Sequence, residues 1–236
     1  MDRRASWRQG EHCAPASGCT AQNRTTGGGS LVSRPSGSRV RRPRAETAGR
    51  PADAFAANDV ARNLHITRRD PLLACLGHAR QAAALGLTGD TAAVRHALGC
   101  AQDALERADP GLARPVWMTA VRNGAEFETL ALAAHFRLGN FEQAETHAHR
   151  SLALLHPQMR RDRAINTARL AAAQLGQGDI EPAVATAMKV PSDVAAQHAR
   201  VGRTLQQFGA ALRTTAPGNS TTRTWAEHTA TWRITA

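Results

Sequence analysis

Histidine is the side chain best suited to acid–base or metal chemistry near neutral pH, and this chain carries 10 of them among 236 residues. The densest group is His147, His149 and His156. Two positions apart on a helix is a rotation of about 200°, so His147 and His149 face different ways, and His156 falls just beyond the helical stretch. No His-Glu-x-x-His, Walker loop, Gly-x-Ser-x-Gly or Cys-x-x-Cys spacing occurs. Because spacing places no nucleophile, base and orienting group together, the sequence points away from an enzyme and expects these histidines to be exposed. His12-Cys13 with Cys19 lacks both a fourth ligand and the spacing of a closed zinc site, so no metal and no cofactor is expected. Cys75 and Cys100 fall on apolar helical faces and read as small, reduced core residues.

Recognition chemistry has better candidates. Arg122, Glu126, Arg163, Asn166, Arg169 and Gln174 all stand opposite apolar stripes in helical segments. Guanidinium and amide groups clamp a peptide's carboxylates or backbone amides through charge-assisted and bidentate bonds. Spacings of three and six keep Arg163, Asn166 and Arg169 on one helical face, which makes them the core of the candidate ligand groove.

Such a groove needs helices that repeat in register. Gly89-Asp90, Gly139-Asn140 and Gly178-Asp179 each open an alanine-rich helical pattern, and the two later copies align offset by offset. After Gly139 come Phe141, Ala144 and Ala148; after Gly178 come Ile180, Ala183 and Ala187 at the same offsets. Glycine ends the first helix in a left-handed conformation, and Asn or Asp is expected to cap the second, with Gln143 at capping-box spacing from Asn140. The bulky residue anchors the second helix on the first, and the alanines let two backbones approach. Ala144 is thus expected in a helix crossing and Glu145 on the solvent side. The first copy is looser, giving Thr91, Val94 and Leu98. Apolar stripes at helical spacing extend from Asp53 to Leu212, with Pro115 placed to open one helix and Ser192 to cap a last long one. These signals predict an all-α fold, a helical-hairpin array (α-solenoid) of about eight helices joined by short turns. A marginal helix carrying Trp225 and Trp232 on one face is expected to cap its open end.

Composition divides the chain into a tail at 1–52, a repeat domain at 53–212, and a linker with the capping helix at 213–236. Residues 1–50 hold 7 Gly, 3 Pro and 6 Ser, with 10 Arg against 3 acids, so this tail is expected to be disordered. It also carries most of the formal net charge of +11. Arg34 to Arg44 could attract phosphate non-specifically, but Lys189 is the only lysine, which makes the arginine excess read as a compositional bias and not as a nucleic-acid footprint. No secretory h-region and no apolar run of about 20 residues is present, so a cytoplasmic protein without membrane contact is expected.

From Arg68 to Leu212 the chain resembles the C-terminal tetratricopeptide-like (TPR) region of actinomycete helix-turn-helix transcriptional regulators of the Xre type. The stretches that carry the resemblance are Leu87-Thr88-Gly89-Asp90, Ala101 through Asp109, Pro115-Val116-Trp117, Phe136-Arg137-Leu138-Gly139-Asn140, Ala148 through Leu155, Arg161-Asp162-Arg163-Ala164, and Ala171 through Asp179. Residues 1–50 show no helix-turn-helix pattern where those regulators carry their DNA-binding domain, so DNA reading does not transfer. The resemblance implies a regulatory module, the sensor or dimerisation part of a regulator, whose partner is a protein, a peptide or a second copy of the chain. The competing class is a structural interaction scaffold, or a decayed remnant, with no ligand.

Overall fold

Prolines and aspartates open the first helices. In the computed structural model, which describes residues 51–64, 67, 69–109, 111, 112, 118, 121, 123–230 and 232, α1 (Pro51–Asn63) starts at a proline whose missing N–H costs nothing in a first turn. Asp70 then lies in an extended conformation, and its carboxylate accepts from Leu72 N at 3.0 Å to start α2 (Pro71–Leu85). Asp90 does the same for α3 (Thr91–Glu106), accepting from Ala93 N at 2.9 Å. There follow α4 (Ala125–Leu138), α5 (Phe141–Leu154), α6 (Arg160–Gln177), α7 (Ile180–Ala187), α8 (Ser192–Gln197), α9 (Ala199–Thr215) and α10 (Ser220–Ala230). Ten helices and no strand run through the described residues, so the all-α expectation holds.

Left-handed glycines close three hairpins, α2 with α3, α4 with α5, and α6 with α7. Gly89, Gly139 and Gly178 have φ of 82°, 81° and 95°, values an L side chain adopts only under strain. At the two later turns Asn140 N donates to His135 O and Asp179 N to Gln174 O, which satisfies carbonyls that would otherwise lack partners. The expected side-chain caps are absent there: neither Asn140 nor Asp179 caps its helix, so the capping box at Asn140 and Gln143 does not form. The looser first copy is the one whose aspartate caps.

Small residues fill the crossings as the repeat predicted. Ala144, Ala148, Ala183 and Ala187 are fully buried. Phe141 lies edge-on to Phe136, with ring centroids 5.5 Å apart, and fills the space beside Gly176, where an added Cβ would meet its ring at 2.7 Å. Ile180 packs against the largest cluster, built from α6 to α10 around Phe208, Leu205, Leu212, Val201 and Trp225. A second cluster joins α2, α3 and α4 through Cys75, Val94, Ala101 and Phe127. Between them Leu132, Ala144, Ala148 and Leu170 connect α4, α5 and α6. Successive first helices also touch, α4 lying on α2 and α9 on α6.

Several expectations change. The single long helix after Ser192 is two, broken at His198, whose extended backbone (φ −123°, ψ 98°) ends α8 and starts α9. The end of the chain is less loose than its Thr, Pro and Gly content implied: α10 packs on α7 and α9, and Trp225 is 3 % exposed, edge-on to Phe208. Glu145 is not on an open face, since it accepts from Gln174 Nε2 at 2.9 Å and Gln177 Nε2 at 2.6 Å, tying α5 to α6. Cys75 is a free buried thiol that burial pushes up to about 11, whereas Cys100 is disulfide-bonded, so the expectation of a reduced thiol holds only for Cys75. The tail expected at 1–52, with Cys13, Cys19 and Arg34 to Arg44, lies outside the described residues apart from Pro51 and Ala52 in α1; Pro115 lies outside them too. No helix among the described residues is long and apolar enough to cross a membrane.

Candidate functional site

Arg169 stands near the middle of α6, among charges from three other first-position helices: Arg80 on α2, Glu126 and Arg137 on α4, and Arg200 at the start of α9. Its side chain is half-buried. Burial first, and then the like charges of Arg200 and Arg137, lower its affinity for a proton until its pKa is about 10; Glu126 pulls the other way. The described residues offer Arg169 neither an ion pair nor a hydrogen-bond acceptor. Its nitrogens are also absent from the sealed, unsatisfied atoms, which are His135 Nδ1, Asn166 Oδ1 and Gln174 Oε1. The fork therefore sits deep among protein groups yet still opens to solvent.

Neighbouring charges hold the same face in tension. Burial raises the Glu126 carboxyl above the usual carboxylate range and Asp162 adds to the rise, while Arg80, Arg169 and Arg200 oppose it. Arg137 Nη1 donates to Ala83 O at the end of α2, and its proton affinity is lowered by burial and by Arg200. Asp162 is already engaged by Arg161 at 2.9 Å. Arg80, Arg137, Arg169 and Arg200 are thus within electrostatic reach of Glu126 or of one another.

Of the six groove candidates, Arg169 and Glu126 occupy this face. Arg163 instead donates to Leu152 O at 2.8 Å and Leu155 O at 2.9 Å, closing the carbonyl end of α5. Asn166 is wholly buried, donating to Thr129 Oγ1 at 2.7 Å and Ser151 Oγ at 2.8 Å, and so pins α6 to α4 and α5. Gln174 is buried and spends its amide on Glu145. The predicted trio of Arg163, Asn166 and Arg169 is therefore not one exposed set, because Asn166 is buried and Arg163 is engaged at Nη1, whereas Arg169 makes no hydrogen bond among the described residues. Arg122 lies outside the described residues. Sequence reasoning missed Arg80, Arg137 and Arg200, whose separation along the chain carries no periodic signal; only the alignment of successive first helices joins them.

The histidines divide as well. His149 is exposed, but His147 Nδ1 meets Glu128 Oε2 at 2.6 Å, and its ring stacks on His135 at 5.2 Å between α4 and α5. Expecting both on the surface was wrong for His147, because the turn of α5 that buries Ala144 and Ala148 also carries it against α4. Burial, and secondarily the charge of His147, lowers the pKa of His135 to about 4. Among the described residues no group of three or more His, Cys, Asp or Glu side chains could hold a metal ion. No protein-family model, no curated protein and no solved structure matches the chain.

Proposed function

We propose that the chain is a TPR-like helical-repeat binding module, the sensor or dimerisation half of a transcriptional regulator, that takes a protein or peptide partner on the face formed by α2, α4, α6 and α9. The observation that carries this reading is Arg169, a half-buried guanidinium with no acceptor among the described residues, set among charges from successive first helices. Stacked hairpins support it, since an array that buries small residues at its crossings leaves one continuous face of first helices for a ligand. A guanidinium that reaches solvent and has no acceptor among the described residues keeps its donors available to a ligand.

Fluorescence anisotropy of the full chain with a library of short peptides tests the reading. Peptides should bind saturably and lose about tenfold in affinity on Arg200→Gln, with little change on Arg150→Gln at an exposed site on the second helix of a hairpin. Binding that ignores Arg200 would remove this face from the function. Footprinting on candidate promoters should leave no protected operator; a protected site would make the module itself a DNA reader.

A further inference from the structure

We propose that Asn123 is a site of spontaneous covalent modification, at which the backbone nitrogen of Gly124 closes on the Asn123 side chain to a succinimide that water opens to aspartate or isoaspartate. This goes beyond the binding-face reading and does not depend on it.

Asn123-Gly124 is the one Asn-Gly pair in the sequence. Glycine matters at the second position because a Cβ there would crowd the nitrogen that must reach the amide carbon. Asn123 is exposed, and Gly124 turns the chain into α4 with φ 81° and ψ −6°. The Asn123 side chain folds forward over that turn, its Oδ1 accepting from Ala125 N at 3.1 Å. That donor lies at the positive end of α4, so it stabilises the negative charge that grows on Oδ1 when the amide carbon is attacked. One contact opposes the step: Gly124 N donates to Val121 O at 3.1 Å, and this turn bond must open before the nitrogen can give up its proton. Fraying of one turn is enough for that, and no helix has to unfold.

The Gly124 nitrogen gives its proton to solvent and bonds to Asn123 Cγ; the Cγ–Nδ2 bond breaks, and Nδ2 leaves as ammonia. Water then opens the ring, giving aspartate when it adds at the side-chain carbonyl and isoaspartate when it adds at the backbone carbonyl. One water enters and one ammonia leaves. The amide that is lost is the one that donates to Leu154 O at 2.9 Å, at the end of α5. A carboxylate has no hydrogen to put there. The reaction therefore unties the start of α4 from the end of α5, and isoaspartate also lengthens the backbone at that point.

Peptide mapping by mass spectrometry of the folded full chain, held in warm, mildly alkaline buffer, tests the inference. Asn219 is the internal control, since its Oδ1 accepts from Thr221 N at 2.8 Å in the same forward fold but Ser220 follows it. Asn166 is wholly buried and reports any unfolded fraction. Asn123 should convert at least about tenfold faster than Asn219, with isoaspartate among the products and Asn166 intact. An Asn123 that keeps its amide, or converts no faster than Asn219, overturns the inference. Aspartate without isoaspartate overturns it as well, because direct hydrolysis would then be the route. Conversion of Asn123 only in step with Asn166 would assign the reaction to the unfolded chain and overturn it too.

Discussion

His78 and His135 are held neutral by their surroundings, each lowered to about 4, first by burial. Around His78 the further causes are Arg62, His96 and Arg107; around His135 it is His147. In the unfolded chain both histidines return to the ordinary value of 6.5. Between that value and about 4 the unfolded state therefore binds protons that the folded state refuses, and stability falls as pH falls. Above the unfolded value the contribution is fully present. Each histidine is expected to cost up to about 3 kcal/mol by the bottom of that window. Urea midpoints at pH 7, 5.5 and 4.5 should drop in that order, and His135→Leu should flatten the fall. A slope unchanged by this substitution would mean that His135 protonates without penalty.

Helix crossings are where a side chain's size matters most in this fold. Ala144→Arg forces bulk and charge into a fully buried crossing and should cost well over the roughly 1–3 kcal/mol of overpacking alone, while Glu142→Arg on the exposed side of α5 should cost little. Glu145→Arg, in contrast, should cost about 1–3 kcal/mol, because it leaves the amides of Gln174 and Gln177 without their acceptor. Denaturation midpoints for the three variants test the ranking; Glu142→Arg as damaging as Ala144→Arg would contradict the register of α5. Gly176→Val probes the same crossing from α6, since its Cβ would meet the Phe141 ring at 2.7 Å. Its thermal transition should fall below that of Gly99→Val, a helical position with open space around it.

Across the molecule, the last helix closes the largest core cluster. Trp225 lies edge-on to Phe208 at 5.2 Å and to Trp232 at 5.8 Å, and it packs beside Gly209. Removing residues from Ser220 onward should therefore expose Phe208 and its neighbours and cost at least the roughly 3–5 kcal/mol typical of deleting a buried tryptophan. A lower melting temperature and new binding of a hydrophobic dye are the expected readouts. A truncated chain that melts with its parent would show that α10 is dispensable and that the aromatic cluster adds no stability.

The sequence by itself determined the helical character, the three glycine turns and the alanine crossings, because these follow from local rules: a left-handed turn demands glycine, and close backbones demand small residues. Ala144, Ala148, Ala183 and Ala187 could be read from their offsets alone. Only the tertiary structure decided what the polar residues do, since the worth of a donor depends on which acceptor another helix brings to it. Arg163 spends Nη1 on the carbonyls of Leu152 and Leu155 at the end of α5, and Asn166 spends its amide on Thr129 and Ser151. Arg169 spends none within the described residues. On paper the three were equivalent by helical phase. The acceptors that packed neighbours supply, and not spacing, separated them, and the same packing brought Arg169 within electrostatic reach of Arg137 and Arg200 from distant parts of the chain.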